Sequence, residues 1–202
     1  MAVTDAPRTA IDLARTVDLP RALAPVDSAL RLLLAPRHPQ LEHALRRRDV
    51  APVDVEQARD ELVTVLDGMV AWPGTRIART AVQLGDPASA SPYESWSRGW
   101  LLMCGLPTPE LNVVLVGASG APYVVDFLWR EHRVVGEADG AGKYGSTAAD
   151  IHRAVRAEKQ RQADLEAAGW RFVRWTRGDS GRALAARVQH ALVPAAPLPR
   201  RP

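Results

Sequence analysis

Lysine is almost absent: Lys143 and Lys159 stand against 24 arginines. Such a skew reflects a GC-rich coding sequence before any physical demand. It still singles out the two ammonium groups, which are compact point charges whose pKa shifts more readily than a guanidinium's. Cysteine is scarcer, and Cys104 alone excludes an intrachain disulfide, which fits a reducing cytoplasm. No apolar run approaches the ~20 residues that span a bilayer. The start, MAVTDAPRTAIDLAR, carries acids and lacks the charged-then-apolar order of a secretory signal. A disulfide-stapled secreted scaffold and a helical membrane protein are therefore not expected, and the expected setting is the cytoplasm with no membrane partner.

What remains is an ordinary globular composition, 47% apolar and 24% charged over 202 residues, enough for one well-cored domain or a domain with an appendage. The net charge of +3 is unevenly spread. Residues 1–149 hold 15 basic and 18 acidic residues, whereas residues 150–190 hold nine and five. Basic charge gathered late in the chain suits a phosphate backbone as partner, and suits equally a solvated helix face.

Helix-like spacing of Ile11, Leu13, Ala14 and Val17, then Leu23, Val26, Ala29, Leu30 and Leu33, predicts helices over 8–34, interrupted near Pro20 and Pro25. A short helix from Pro39 to Arg48, another from an Asp54 N-cap to Asp67, and a third from Gly74 to Leu84 follow. Gly85 to Pro92 has the composition of a linker. Residues 1–88 thus read as a helical region without recognisable chemistry.

From residue 89 to residue 193 the pattern is helix, three strands, helix, strand, helix. A helix over Tyr93–Cys104 precedes β-branched runs at Asn112–Gly117, Ala121–Trp129 and Arg133–Ala138. A helix from Ala148 stops at Gly169, a strand covers Trp170–Thr176, and a helix covers Ser180–Leu192. Residues 194–202, rich in proline, are expected to be a disordered tail.

The second and third strands carry the candidate chemistry. If Glu131 and His132 form a two-residue turn, Arg130 pairs with Arg133 and Asp126 falls opposite Glu137, where Cβ atoms lie ~4.5–5.5 Å apart. Asp126 interrupts Val124-Val125-Asp126-Phe127-Leu128-Trp129, and Glu137 follows Val134-Val135-Gly136. Carboxylates so placed need a counter-charge, a raised pKa or a divalent cation. Asp139, two residues on, projects from the face of Glu137. The alternative is pairing with arginines at the sheet end, or a register shifted by one. Glu94, in a first helical turn, reads in isolation as a capping carboxylate, and Glu158-Lys159-Gln160-Arg161 as a solvated face. His38, His132 and His152 lack partners at zinc-ligand spacing. Ser119 in Gly117-Ala118-Ser119-Gly120 lacks the strand-to-helix context of a nucleophile elbow.

Ser91-Pro92-Tyr93-Glu94, Gly105-Leu106-Pro107, Val125-Asp126-Phe127, Val135-Gly136-Glu137-Ala138-Asp139-Gly140, Lys143-Tyr144, Glu158-Lys159-Gln160-Arg161 and Gly169-Trp170-Arg171-Phe172-Val173-Arg174-Trp175 together resemble the very-short-patch-repair-like endonuclease domains of the PD-(D/E)XK superfamily. The similarity runs in order from Ser91 to Leu192. It implies an α/β (α+β) restriction-endonuclease-like core and Mg2+- or Mn2+-dependent hydrolysis of DNA. It also implies metal ligation by Asp126, Glu137 and Glu94, with Asp139, Lys143 and Lys159 completing the catalytic set. Lys143, Tyr144, Arg153, Arg156 and Arg161 are the expected nucleic-acid contacts. The catalytic lysine usual two places after Glu137 is Asp139 here, so Lys143 or Lys159 is expected to supply its charge.

Upstream, Arg8-Thr9-Ala10-Ile11-Asp12-Leu13-Ala14-Arg15 resembles the segment preceding this domain in proteins with an AbiEi-type antitoxin region. Those usually begin with a winged-helix DNA-binding domain, and the resemblance implies that this chain begins after it. The resemblance leaves three readings: an endonuclease, an inactive nuclease-fold binding module in a toxin–antitoxin or phage-defence system, or a fold reused purely for protein–protein contact. A toxin, or a second copy of the chain for double-strand cutting, is the expected protein partner.

Overall fold

The structure, a computed structural model, describes residues 4–139 and 148–193. Five helices come first: α1 (Ala6–Ala14), α2 (Leu19–Leu34), α3 (Leu41–Arg47), α4 (Pro52–Asp67) and α5 (Thr75–Leu84). Then follow α6 (Pro92–Met103), β1 (Glu110–Val116), β2 (Pro122–Trp129), β3 (Val134–Asp139), α7 (Ala148–Ala167), β4 (Arg171–Thr176) and α8 (Gly181–Leu192). This is a mixed α+β architecture, and the order from α6 onward is the one expected. No described helix is long and apolar enough to cross a membrane.

Local chemistry explains most boundaries. Asp5, Asp18, Ser91 and Ser180 cap α1, α2, α6 and α8 by accepting backbone N–H groups. Pro20 sits in the first turn of α2, where its missing N–H costs nothing. Pro25 lies inside α2 without ending it, so the expected break there does not occur. Asp54 is not the cap of α4. Pro52 takes the first helical turn and Ala51 the cap position, leaving Asp54 a first-turn acid favoured by the dipole. Gly169, at φ 88°, stops α7 as expected.

The four strands form one sheet in the order β1-β2-β3-β4, antiparallel across the first three and parallel between β3 and β4. Phe127 pairs with Gly136 and Trp129 with Val134. The connection spans Arg130 to Arg133, with Arg133 at φ 51°. It is thus longer than a two-residue turn yet keeps the predicted register, because both loops are even.

The α1, α2, α4 and α5 helices enclose one core around Ile11, Leu23, Leu30 and Leu62. The sheet has cores on both faces: Phe127, Trp129 and Trp175 with α6 and α8, and Val125, Val135 and Leu165 with α7. Leu111 and Phe127 pack in the first of these, whereas Val113 and Val125, two residues along and paired in turn, pack in the second. The sheet therefore changes face at Asn112, whose φ is 48°, and at Asp126 opposite it.

The helical region is not strung on a flexible linker. A Cβ on Gly99 of α6 would come within 2.5 Å of Pro20 Cα, so α2 and α6 approach as only glycine permits. Asp27 and Arg98, 1% and 2% exposed, form a two-pronged ion pair at 2.9 Å between these helices. Asp27 also accepts the Asp86 N–H, and Arg31 donates to the Pro87 carbonyl. Gly85 to Pro92 thus has linker composition but is fastened at several points, with Gly85, Pro87 and Ser89 buried.

Candidate functional site

Where the sheet changes face, the registers set four polar residues in a row across it. Asn112 on β1 lies opposite Asp126 on β2, between the pairs Leu111–Phe127 and Val113–Val125. Asp126 lies opposite Glu137 on β3, one step beyond Phe127–Gly136. Glu137 pairs with Arg174 on the parallel strand β4. This row, Glu94 from α6, and Glu158 and Arg161 from α7 line a cleft of about 610 Å3, which Asp139 and Arg46 also reach.

Glu137 is only 5% exposed. Burial, then the charge of Asp126, push its carboxyl up to about 8, against the pull of Arg161 at 2.9 Å. Asp126 Oδ2 accepts the Ala138 N–H at 3.0 Å, which fastens the acid of one strand to the backbone of the next. Burial works against the charge on Arg161, but its hydrogen bonds and charge contacts with Glu158 and Glu137 prevail and hold its pKa up. Burial likewise works against ionised Glu158, and the guanidiniums of Arg161 and Arg174 reverse that and lower its pKa. The wall therefore carries two neighbouring acids, Asp126 and Glu137, flanked by Arg161, Glu158 and Arg174.

Several expected placements change. Glu94 is buried in a reciprocal cap: its N–H donates to Ser91 Oγ, and Ser91 donates back at 2.8 Å. Its Oε2 accepts the Ala90 N–H and Asn112 Nδ2. Glu94 thus ties the 85–91 segment to β1 at the edge of the cleft. Asp139 turns to Arg174 at 3.4 Å. Among the described residues no three His, Cys, Asp or Glu side chains are grouped to hold a metal ion. The expected convergence of three acids does not occur, because the arginines of α7 and β4 each engage one.

Arg161 is not an outward phosphate hand. It donates to Glu158, Glu137 and the Val124 carbonyl. Lys159 is exposed and does not line the cleft, since Glu158 and Arg161, three apart, take the inward face of α7 and leave it outside. Arg153 and Arg156 lie on the exposed side of α7. Lys143 and Tyr144, and the tail from residue 194, fall outside the described residues. Sequence reasoning missed Asn112, Arg174 and Arg46. Only the alternation of Phe172 and Arg174 with Val173 and Trp175 in β4 marks the face that Arg174 takes.

No family model matches the chain, and no solved structure matches it. Two curated proteins of Mycobacterium tuberculosis are similar to it: "Uncharacterized protein MT2308" from strain CDC 1551 / Oshkosh and "Uncharacterized protein Rv2248" from strain ATCC 25618 / H37Rv. Each is 31% identical over 165 residues, 82% of this chain and 51% of the relative. The chain spans about half the length of the curated relatives it matches.

Proposed function

We propose that residues 89–193 form a PD-(D/E)XK-type nuclease domain that hydrolyses DNA phosphodiesters with Mg2+ or Mn2+, and that Asp126 and Glu137 hold the ion. The observation that carries this reading is the pair itself. Two carboxylates oppose each other on neighbouring strands at an open cleft, and one is so buried and so near the other's charge that its pKa rises to about 8. Such a pair gains more from a hard cation than from any single arginine. The donors fit that cation: Mg2+ takes one or two protein carboxylates and fills its shell with water and substrate phosphate. When bound, the ion would supply a water of lowered pKa and charge neutralisation at the leaving oxygen.

The chain's own residues then divide the remaining work. The Ala138 N–H and the β2–β3 register hold the Asp126 carboxylate beside Glu137. Arg161 acts as the resident counter-charge of Glu137, and Arg174 sets Glu158 and Asp139 along the far wall. The positive charge missing two places after Glu137 falls to Arg161 and Arg174, the arginines already at the cleft. The helix–three strands–helix–strand–helix order and the Glu137-Ala138-Asp139-Gly140 run support the nuclease reading.

One observation favours a second reading. The 2.9 Å pair of Glu137 with Arg161 neutralises the acid without metal, as suits an inactive nuclease-fold module in a toxin–antitoxin or phage-defence assembly. Incubating purified protein with plasmid and single-stranded DNA, with Mg2+ or Mn2+, separates the two. The nuclease reading expects metal-dependent cutting that Asp126→Ala and Glu137→Ala each reduce by about a thousandfold or more. Undiminished cutting by both variants would remove the pair from the mechanism, and no cutting by folded wild type would favour the binding module.

A further inference from the structure

A charged groove lies between the end of α3 and the sheet, next to the cleft. Its wall is the end of α3, which packs on β1, together with the β2–β3 connection. Arg46, Arg47, Arg48 and Arg130 line a second cavity of about 550 Å3 beside the acidic one. Two residues, Arg46 and Val124, line both cavities, so the two adjoin. The floor includes the uncharged, partly exposed Val114 and Val124.

The charge balance of this groove is one-sided. Glu110 is its single acid, and it already serves both Arg130 at 2.8 Å and Arg48 at 3.6 Å. Arg47 leans on Asp49 at 3.2 Å, with both side chains well exposed. Arg46 makes no ion pair among the described residues. Exposed pairs of this kind are worth at most about 1 kcal/mol and give way to a stronger anion. Cations at a helix C-terminus complement the dipole, which accounts for Arg46 and Arg47 on α3. Arg130 comes from a different element, is held by both oxygens of Glu110, and faces the same groove.

We infer that Arg46, Arg47 and Arg130 form a track for the phosphate backbone of a nucleic-acid strand, leading it along α3 into the Asp126–Glu137 cleft. The reading of that cleft as a nuclease site identifies the ligand, and the groove supplies its charge complement. A chain of phosphates fits this arrangement better than one small anion does, because the arginines come from two elements along the groove and Arg46 also lines the adjoining cleft.

The test is binding of fluorescently labelled single-stranded and duplex DNA by anisotropy, in EDTA and across a salt series, so that neither cutting nor metal affinity enters. The double variant Arg46→Glu/Arg47→Glu should weaken binding about tenfold or more at 0.1 M salt and flatten the log Kd–log salt slope by about 2. Arg76→Glu, exposed on α5 outside both cavities, should bind like wild type and serves as the charge control. Thermal melts of both establish folding, and Arg46→Ala should show a smaller loss if the double variant fails to fold. Unchanged binding by folded Arg46→Glu/Arg47→Glu, an equal loss in Arg76→Glu, or no DNA binding by wild type would overturn the track. Wild type that binds through these arginines yet never cuts would overturn the nuclease reading and leave the track standing.

Discussion

Two buried carboxylates, Asp27 and Glu137, each face an arginine, and they do so to different ends. Asp27 meets Arg98 through both oxygens and accepts a backbone N–H, while Arg98 also donates to the Leu84 carbonyl. One acid and one base close on each other, with Arg98 Nε buried and without a hydrogen-bond partner among the described residues. Glu137 meets Arg161 through one nitrogen, with Asp126 opposite and an open cleft beyond. Burial raises both pKa values, so a perturbed acid does not by itself mark a functional site. The distinguishing features are the second acid on the neighbouring strand and the open cleft beside it.

Four substitutions would break or sharpen this contrast. The largest effect belongs to the closed pair: Asp27→Ala strands a buried guanidinium and should cost about 3–5 kcal/mol in chemical unfolding. A loss under 1 kcal/mol would mean that the two helices are held by packing alone. Next is the pH dependence of Glu137. Its folded pKa lies above the ordinary carboxylate value, at about 8 against 4.5. The folded protein therefore binds more protons than the unfolded chain between those limits, and stability falls as pH rises through them. Glu137→Gln should remove a few kcal/mol of that fall, and superimposable stability–pH curves for the two proteins would refute it. Ser91→Ala, which opens the cap holding Glu94, should cost about 1 kcal/mol. Smallest is Lys159→Ala, which should change neither stability nor any cutting, because the side chain is exposed outside the cleft. A tenfold fall in cutting would return Lys159 to the mechanism.

The strand order and the β2–β3 register were legible because acids interrupt apolar runs and an even, short connection fixes which residues oppose. Asp126 and Glu137 followed from that register. Their counter-charges did not. Glu137 meets Arg174 through a parallel pairing across α7, and parallel partners leave no local turn signal. Composition misled at Gly85 to Pro92, whose fastening comes from Asp27, Arg31 and Asn112, all distant in sequence. It also gave no sign that the arginines of α3 lie beside β1 and the β2–β3 connection.

The claim that Asp126 and Glu137 form a cation site is tested most directly by titrating Mn2+ into the folded protein at pH 8 in a calorimeter, beside Asp126→Ala and Glu137→Ala. Saturable binding by wild type that both variants lose is the predicted result. Folded wild type that takes up no Mn2+, or variants that bind it as well as wild type, would contradict the claim and leave the Glu137–Arg161 pair as a structural contact.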